Sequence, residues 1–400
     1  MALSLLAGGF SAHRAKSEHS HGCALNPQEG SKTMTTKAPN QDPGQTQSQN
    51  PASQVILPEA WFFKSWDPDD GQLLSRLIAR GSAAAPTYFN NTRFGKQFRS
   101  VVDGGFAANA PGMSAMAEAI KVSKPGDDFL AVVLGTGYPN KKYPYWSLRF
   151  RPNWLYIQPA LEMYGIMMSQ VVYYQLDTIL NIQMPNSIQH AGIDPKSRPR
   201  IRLLNLDAQM SAKMFSIDNI DPANVQAEID LAYRTVEANQ ADVEKMVTEL
   251  VRCYHARTAA VPSDHTVWPF VANTGGGARG IFTAALMDIL SQMSGLHPTQ
   301  MFWLNSGNSA GSLNTMLQTA PNPDGSPRYS ASDALAIWKE VLPIVFKTNW
   351  LRIVGQYVGA GAKYPNSGIE SVLKQYLGDT IFRDHIGRVM CPAVVTDLAV

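Results

Sequence analysis

Cysteine is scarce in this 400-residue chain: Cys23, Cys253 and Cys391 are far apart and odd in number. Such a set supplies neither a disulfide framework nor zinc-ligand spacing, and it fits a reducing compartment. Long apolar runs are missing too. No stretch of about 18 uncharged apolar residues occurs, so no transmembrane helix is expected. The nearest approach, residues 154–176, is interrupted by Gln158, Pro159, Glu162, Ser169 and Gln170 and reads as a core or interfacial helix. Charge of one sign is not in excess. The net charge is +2, with Lys and Arg spread along the chain rather than gathered in a stripe. That excludes a dedicated nucleic-acid binder. Residues 1–10 are apolar but lack the basic n-region of a signal peptide. A cytoplasmic or peripheral-membrane location is expected, with secretion left open.

What is present supports a sizeable core, since 44% of residues are hydrophobic. Residues 15–54 are the exception. They are rich in Gln, Asn, Ser, Thr, Pro and Gly and bury too little to offset ordering, so residues 1–54 are expected to form a disordered tail. His13, His19, His21 and Cys23 lie in that tail without a frame to fix them, and no metal is inferred. Order is expected from residue 55 to 400. Strands are expected near 55–66, 100–102, 129–134, 267–272, 301–304 and 393–398, and helices near 73–80, 113–122, 222–250 and 281–293. Asp221 followed by Pro222 is a helix-start signal. Strands alternating with helices imply an α/β fold with a mainly parallel sheet flanked by helices. No internal repeat is found.

Two glycine motifs carry the chemistry. Gly275-Gly276-Gly277-Ala278-Arg279-Gly280 fits G-x-G-x-x-G between a strand and a helix. A dinucleotide site would need an acidic residue after the next strand, and none stands there. The remaining use of such a loop is to aim backbone amides at an anion, which in acyl transfer is the tetrahedral oxyanion. The second motif, Gly307-Asn308-Ser309-Ala310-Gly311, matches a nucleophile elbow, a serine on a sharp strand-to-helix turn. Its base is not fixed by this motif alone. A Ser-His-Asp esterase would have to use His385, the one histidine downstream, with Asp324, Asp333 or Asp379.

Taken together, these motifs resemble those of the patatin-like phospholipases. Gly275 to Gly280 is similar to that family's oxyanion loop, and Gly307 to Gly311 to its nucleophile motif. Asp103-Gly104-Gly105, followed by Ala108-Asn109-Ala110-Pro111, resembles its catalytic Asp-Gly-Gly segment. The flanks Ala83-Ala84-Ala85-Pro86-Thr87-Tyr88-Phe89 and Leu134-Gly135-Thr136-Gly137 are similar to family blocks as well. Asn273-Thr274 departs from the Asp-Gly usual before the glycine loop, and Ala110 replaces an Asn. The order departs further, because Asp103 precedes the serine by about two hundred residues instead of following it. A circular permutation restores the family order when residues 266–400 are read before 55–258. A tandem-repeat fragment is the competing account, and no block occurs twice.

The resemblance implies a three-layer α/β fold and a Ser-Asp dyad with no histidine. Asp103 would be the base and Ser309 the nucleophile of an acyl-enzyme mechanism. The amides of Gly276, Gly277 and Ala278 would form the oxyanion hole, and Arg279 would brace their loop. It implies no cofactor and no metal, a glycerophospholipid or other acyl-lipid substrate, and no identified protein activator. The rival class is a non-catalytic lipid- or protein-binding module on the same fold. Two geometric expectations follow: Asp103 and Ser309 meet at hydrogen-bond distance, and residues 394–398 lie beside 56–65. Lastly, Tyr138, Lys141, Lys142, Tyr143, Tyr145, Trp146, Arg149, Phe150, Arg151 and Trp154 cluster in one stretch, either an ordinary surface loop or a contact for anionic bilayers.

Overall fold

The computed structural model describes residues 58–94, 98–140, 153–181, 202–259, 266–357 and 361–398. The tail expected to be disordered lies outside the described residues. So does most of the basic, aromatic stretch after Tyr138.

The strands are β1 (Glu59–Lys64), β2 (Thr92–Phe94), β3 (Phe98–Asp103), β4 (Asp128–Leu134), β5 (Tyr138–Pro139), β6 (Leu203–Leu206), β7 (Gln209–Met210), β8 (Val267–Asn273), β9 (Leu304–Gly307) and β10 (Arg388–Leu398). The main sheet runs β2-β3-β10-β9-β8-β4-β6, with β1 added on β10, while β5 and β7 form a small separate pair. The pairs β6–β4, β4–β8, β8–β9 and β9–β10 are parallel. β1, β2 and β3 join antiparallel.

After Asp128 the sequence of β4, Phe-Leu-Ala-Val-Val-Leu, is continuously apolar because both of its faces are covered. Leu130, Val132 and Leu134 enter one buried cluster with residues of the helices Pro222–Ala238, Gln240–Thr258, Gly280–Ser294, Ala310–Thr319 and Ala331–Val345. Ala131 and Val133 enter a second, with residues of the helices Gly112–Val122 and Asn153–Asn181. Alternate side chains of one strand thus serve two helical layers. Among the described residues no helix is long and apolar enough to cross a membrane.

One expected element moves. Residues 301–304 do not form the strand before the serine. The helix Pro298–Met301 stands there, started by Pro298 and by a reciprocal cap in which His297 and Gln300 exchange side-chain and backbone bonds. β9 begins only at Leu304, which brings the strand to within two residues of Ser309. At the other end of the sheet, β1 lies antiparallel to β10, with Glu59 opposite Val395 and Lys64 opposite Met390.

Candidate active site

Strand register brings together two residues that are far apart in sequence. β9 runs parallel to the start of β10, with Leu304 opposite Arg388 and Ser306 opposite Met390. β3 runs antiparallel to the later part of β10, with Asp103 opposite Ala393. β1 occupies the other edge over Met390–Val395. β9 and β3 therefore approach each other along one edge of β10, and their C-terminal ends meet near Pro392. Extending the register past Ser306 places Ser309 level with Ala393, the partner of Asp103. The Ser309 side chain comes near enough to the Asp103 carboxyl to offset part of the effect of burial on it.

Ser309 sits at φ 52, ψ −119, a conformation that non-glycine residues rarely adopt. Holding it costs about 1–3 kcal/mol, which the surroundings must offset. Several bonds do so. The Ser309 amide donates to Ser82 Oγ at 3.1 Å, and the Gly311 amide donates to the Asn308 carbonyl at 2.6 Å. The flanking glycines are needed for close approach. A Cβ at Gly307 would lie 2.1 Å from the Gly311 carbonyl oxygen, and one at Gly311 would lie 2.1 Å from that of Asn273. Gly104 faces the same limit, with the Pro392 carbonyl oxygen 2.2 Å from where its Cβ would stand.

Asp103 is 7% exposed. Burial pushes its carboxyl up to about 6, opposed by hydrogen bonds from the Gly105 amide, Ser309 and Asn308. The Gly105 amide is 2.7 Å away and Asn308 Nδ2 3.4 Å. An ordinary Asp, near 3.9, is a poor base, and a raised value makes this carboxylate a stronger one.

The glycine loop lies against this pair. A Cβ at Gly275 would stand 2.6 Å from Asn308 Nδ2 and 3.2 Å from Ser309 Cβ. Its amides divide into two groups. Gly275 donates to the Asn109 carbonyl, Ala278 to Ile217 and Arg279 to Gly276, while Gly280 bonds within the turn to Ala278 and Gly277. Ala278, expected among the oxyanion donors, is thus already engaged. Gly276 and Gly277 donate their amides to no protein acceptor among the described residues. Gly277 adopts φ 61, and a Cβ there would lie 2.3 Å from the Ile217 carbonyl oxygen. Arg279 is buried beneath the loop, its guanidinium donating to the carbonyls of Gly276 and Thr136 and lying 3.8 Å from the Phe215 ring. Thr136 Oγ1 donates to the Gly275 carbonyl at 2.9 Å. The Asn273-Thr274 departure changes the bracing: Asn273 Nδ2 donates to Thr315 Oγ1 at 2.8 Å, tying the end of β8 to the helix behind Ser309.

Ser309 and Gly277 open on a cavity of about 60 Å³ whose walls are almost wholly apolar, among them Ala83, Phe89, Leu342, Phe346 and Leu373. That space admits several water-sized groups, and its lining favours a hydrocarbon chain.

His385 is elsewhere. Its Nδ1 meets Thr319 Oγ1 at 2.7 Å and its Nε2 meets Ser75 Oγ at 2.8 Å. Thr319 ends the helix that Ser309 begins, so at about 1.5 Å rise per residue some 15 Å separates them. Burial drives the His385 imidazole down to about 3. A Ser-His-Asp triad through His385 is therefore excluded.

Sequence reasoning missed Ser82 and Asn308 as parts of the site. Ser82 Oγ bonds both the Ser309 amide and Asn308 Oδ1, the latter at 3.4 Å. Asn308 reaches Asp103 and Asn109. Ser82 directly precedes the Ala83–Phe89 block, and Asn308 is an unspecified position of the elbow motif, so neither carried its own signal.

Comparison with known proteins gives a partial likeness. Over 128 residues the chain is 30% identical to Patatin-like protein 2 of Oryza sativa, covering 30% of this chain and 32% of that protein. It is 26% identical to Patatin-like protein 1 of Arabidopsis thaliana over 141 residues, or 33% and 34% of the two chains. The chain thus spans about a third of the length of the curated relatives it matches. No family model and no solved structure matches it. The likeness supports a relationship to the patatin-like proteins, in keeping with the mixed α/β architecture.

Proposed function

We propose that this chain is a serine acyl hydrolase of the phospholipase A type. Asp103 takes the proton from Ser309 Oγ as that oxygen attacks the carbonyl carbon of an ester. The amides of Gly276 and Gly277 receive the developing oxyanion, aided by the N-terminal end of the helix Ala310–Thr319. The alcohol leaves with the proton, and Ser309 carries the acyl group as an ester. Asp103 next draws a proton from water as the water oxygen attacks the acyl-enzyme, and passes that proton to Ser309 Oγ as the acyl–oxygen bond breaks and the fatty acid leaves. Substrates are acyl lipids whose chain lies in the apolar cavity beside Ser309.

The observation that carries this reading is the juxtaposition of a strained Ser309 and the buried Asp103 carboxyl. It lies beside uncommitted loop amides and above an apolar cavity. The partial identity to named patatin-like proteins supports the same class. The reading extends to chain order, with residues 266–400 answering to the N-terminal half of the family and 55–258 to its C-terminal half. The side-by-side pairing of β1 and β10 supports it, since these strands flank the proposed seam.

The test is hydrolysis of p-nitrophenyl butyrate and of a long-chain phosphatidylcholine. Wild type is expected to cleave both, and Ser309→Ala neither. Full activity in Ser309→Ala overturns the assignment. Binding of lipid by an inactive wild type favours the non-catalytic module instead.

A further inference from the structure

Large apolar side chains stand in water on the segment that follows the cavity wall. The helix Ala331–Val345 supplies Val341, Leu342 and Val345 to the cavity, and Phe346 continues the lining. The next element, the helix Trp350–Tyr357, turns outward, with Trp350 70%, Leu351 61% and Ile353 36% exposed. Ile344, one residue before cavity-lining Val345, is exposed as well.

This excursion is pinned at its base to the cavity rim. Thr348 Oγ1 donates to the Lys363 carbonyl at 2.6 Å, and Arg352 reaches the carbonyl of Ala362. The amides of Lys363 and Tyr364 donate to the carbonyls of Thr87 and Tyr88, at 3.0 and 2.9 Å. Tyr88 itself lines the cavity. The exposed helix is thus held beside the space into which Ser309 opens.

The charge of the segment indicates what it meets. From Val341 to Ile369 the sequence contains no Asp or Glu, whereas Lys347 and Arg352 flank the apolar residues on the exposed surface. A second exposed apolar row exists on the helix Asn153–Asn181, formed by Met167, Val171 and Tyr174. That helix carries Glu162 and Asp177 and no cation. Tryptophan and aliphatic side chains favour the boundary between water and bilayer, and cations beside them favour anionic headgroups.

We propose that Trp350, Leu351 and Ile353, with Ile344, Lys347 and Arg352, form the surface by which this protein docks on anionic lipid bilayers. A lipid surface rather than a protein as the occupant rests on the acyl-hydrolase reading above. Docking here sets the cavity rim against the interface, so an acyl chain enters without crossing water.

The experiment uses the full chain with phosphatidylcholine vesicles, with and without phosphatidylglycerol, and reads co-sedimentation beside hydrolysis of soluble p-nitrophenyl butyrate. Wild type is expected to bind the anionic vesicles, more weakly at high salt. The double variant Trp350→Ser, Leu351→Ser is expected to lose at least tenfold in vesicle binding with soluble-ester hydrolysis unchanged. Lys347→Gln with Arg352→Gln is expected to weaken binding to anionic vesicles only. Met167→Ser with Tyr174→Ser is the matched control and is expected to bind as wild type. Vesicle binding by the Trp350, Leu351 variant equal to wild type overturns the proposal, as does loss confined to the Met167, Tyr174 pair. So does a wild-type dimer in gel filtration that the Trp350, Leu351 variant abolishes while vesicle binding persists, which makes the face a contact between copies. Failure of ester hydrolysis with vesicle binding intact removes the catalytic reading and leaves docking standing.

Discussion

The helix Ala310–Thr319 has a hydroxyl paired with a titratable group at each end, and the two ends behave differently. At the N-terminal end Ser309 faces the Asp103 carboxyl; at the C-terminal end Thr319 bonds His385, which also bonds Ser75. The His385 end contains a hydroxyl and an imidazole, the more familiar pair for nucleophile activation. Yet both ring nitrogens are satisfied, the ring is buried, and the imidazole is driven down to about 3. The Ser309 end has a strained backbone, a base raised to about 6, uncommitted amides at Gly276 and Gly277, and an apolar cavity. A hydroxyl beside a base is not enough for a site. Free donors, room for a substrate and a conformation that aims the oxygen distinguish one end of this helix from the other.

The sharpest way to break this contrast is to exchange the burden of activity between the ends. Ser309→Ala is expected to lower kcat for ester hydrolysis by at least about 10³-fold, because no other group replaces the nucleophile. His385→Gln is expected to leave kcat/KM within about a factor of two of wild type, since an imidazole this far away makes no contact with the reacting atoms. A large loss in His385→Gln with unchanged stability contradicts the contrast. Asp103→Asn comes next, with a fall in kcat of about 10²–10⁴-fold. The wild-type kcat/KM should rise with pH through about 6, as the Asp103 carboxyl ionises, and then level off. A flat profile between pH 5 and 7 means a different base.

Smaller effects sharpen the comparison. Gly277→Ala places a methyl where the Ile217 carbonyl oxygen stands, at a backbone angle that disfavours any side chain. The loop must shift, and kcat is expected to fall by about 10²-fold with KM little changed, as for loss of an oxyanion donor. Stability should move in opposite directions at the two ends. His385→Gln disturbs the bonds to Thr319 and Ser75 and should cost about 1–3 kcal/mol in urea unfolding. Asp103→Asn should instead stabilise. Burial raises the Asp103 carboxyl from 3.8 to about 6, so the folded state prefers the protonated form. That contribution is complete below about 4 and lost as pH rises through about 6. The Asn variant should therefore gain on the order of 2 kcal/mol over wild type at neutral pH, and nothing near pH 4.

Much of this was legible in the sequence because the motifs are local. The elbow around Ser309 and the glycine loop each follow a strand, and continuous apolar runs such as 129–134 mark strands buried on both faces. Asp103 needed more, since Asp-Gly is an ordinary turn signal and only its flanks, Ala83–Phe89 and Leu134–Gly137, marked this copy. The partners that hold the site were not legible. Ser82, Asn308 and Ile217 reach it through backbone or side-chain bonds set by tertiary packing. The sequence does not state which loop amides are spent, so Ala278 looked as available as Gly277. Residues 301–304 read as a strand because Met301 to Leu304 are apolar; the His297 cap and Pro298 instead start a helix that runs to Met301.

The central claim is that Ser309 alone is the activated nucleophile, and mass-spectrometric mapping of the site labelled by a serine-directed fluorophosphonate tests it most directly. The account predicts one adduct, on Ser309, formed by wild type and by His385→Gln at similar rates and much more slowly by Asp103→Asn. An adduct on another serine, or labelling of Ser309 that depends on His385 and not on Asp103, contradicts it.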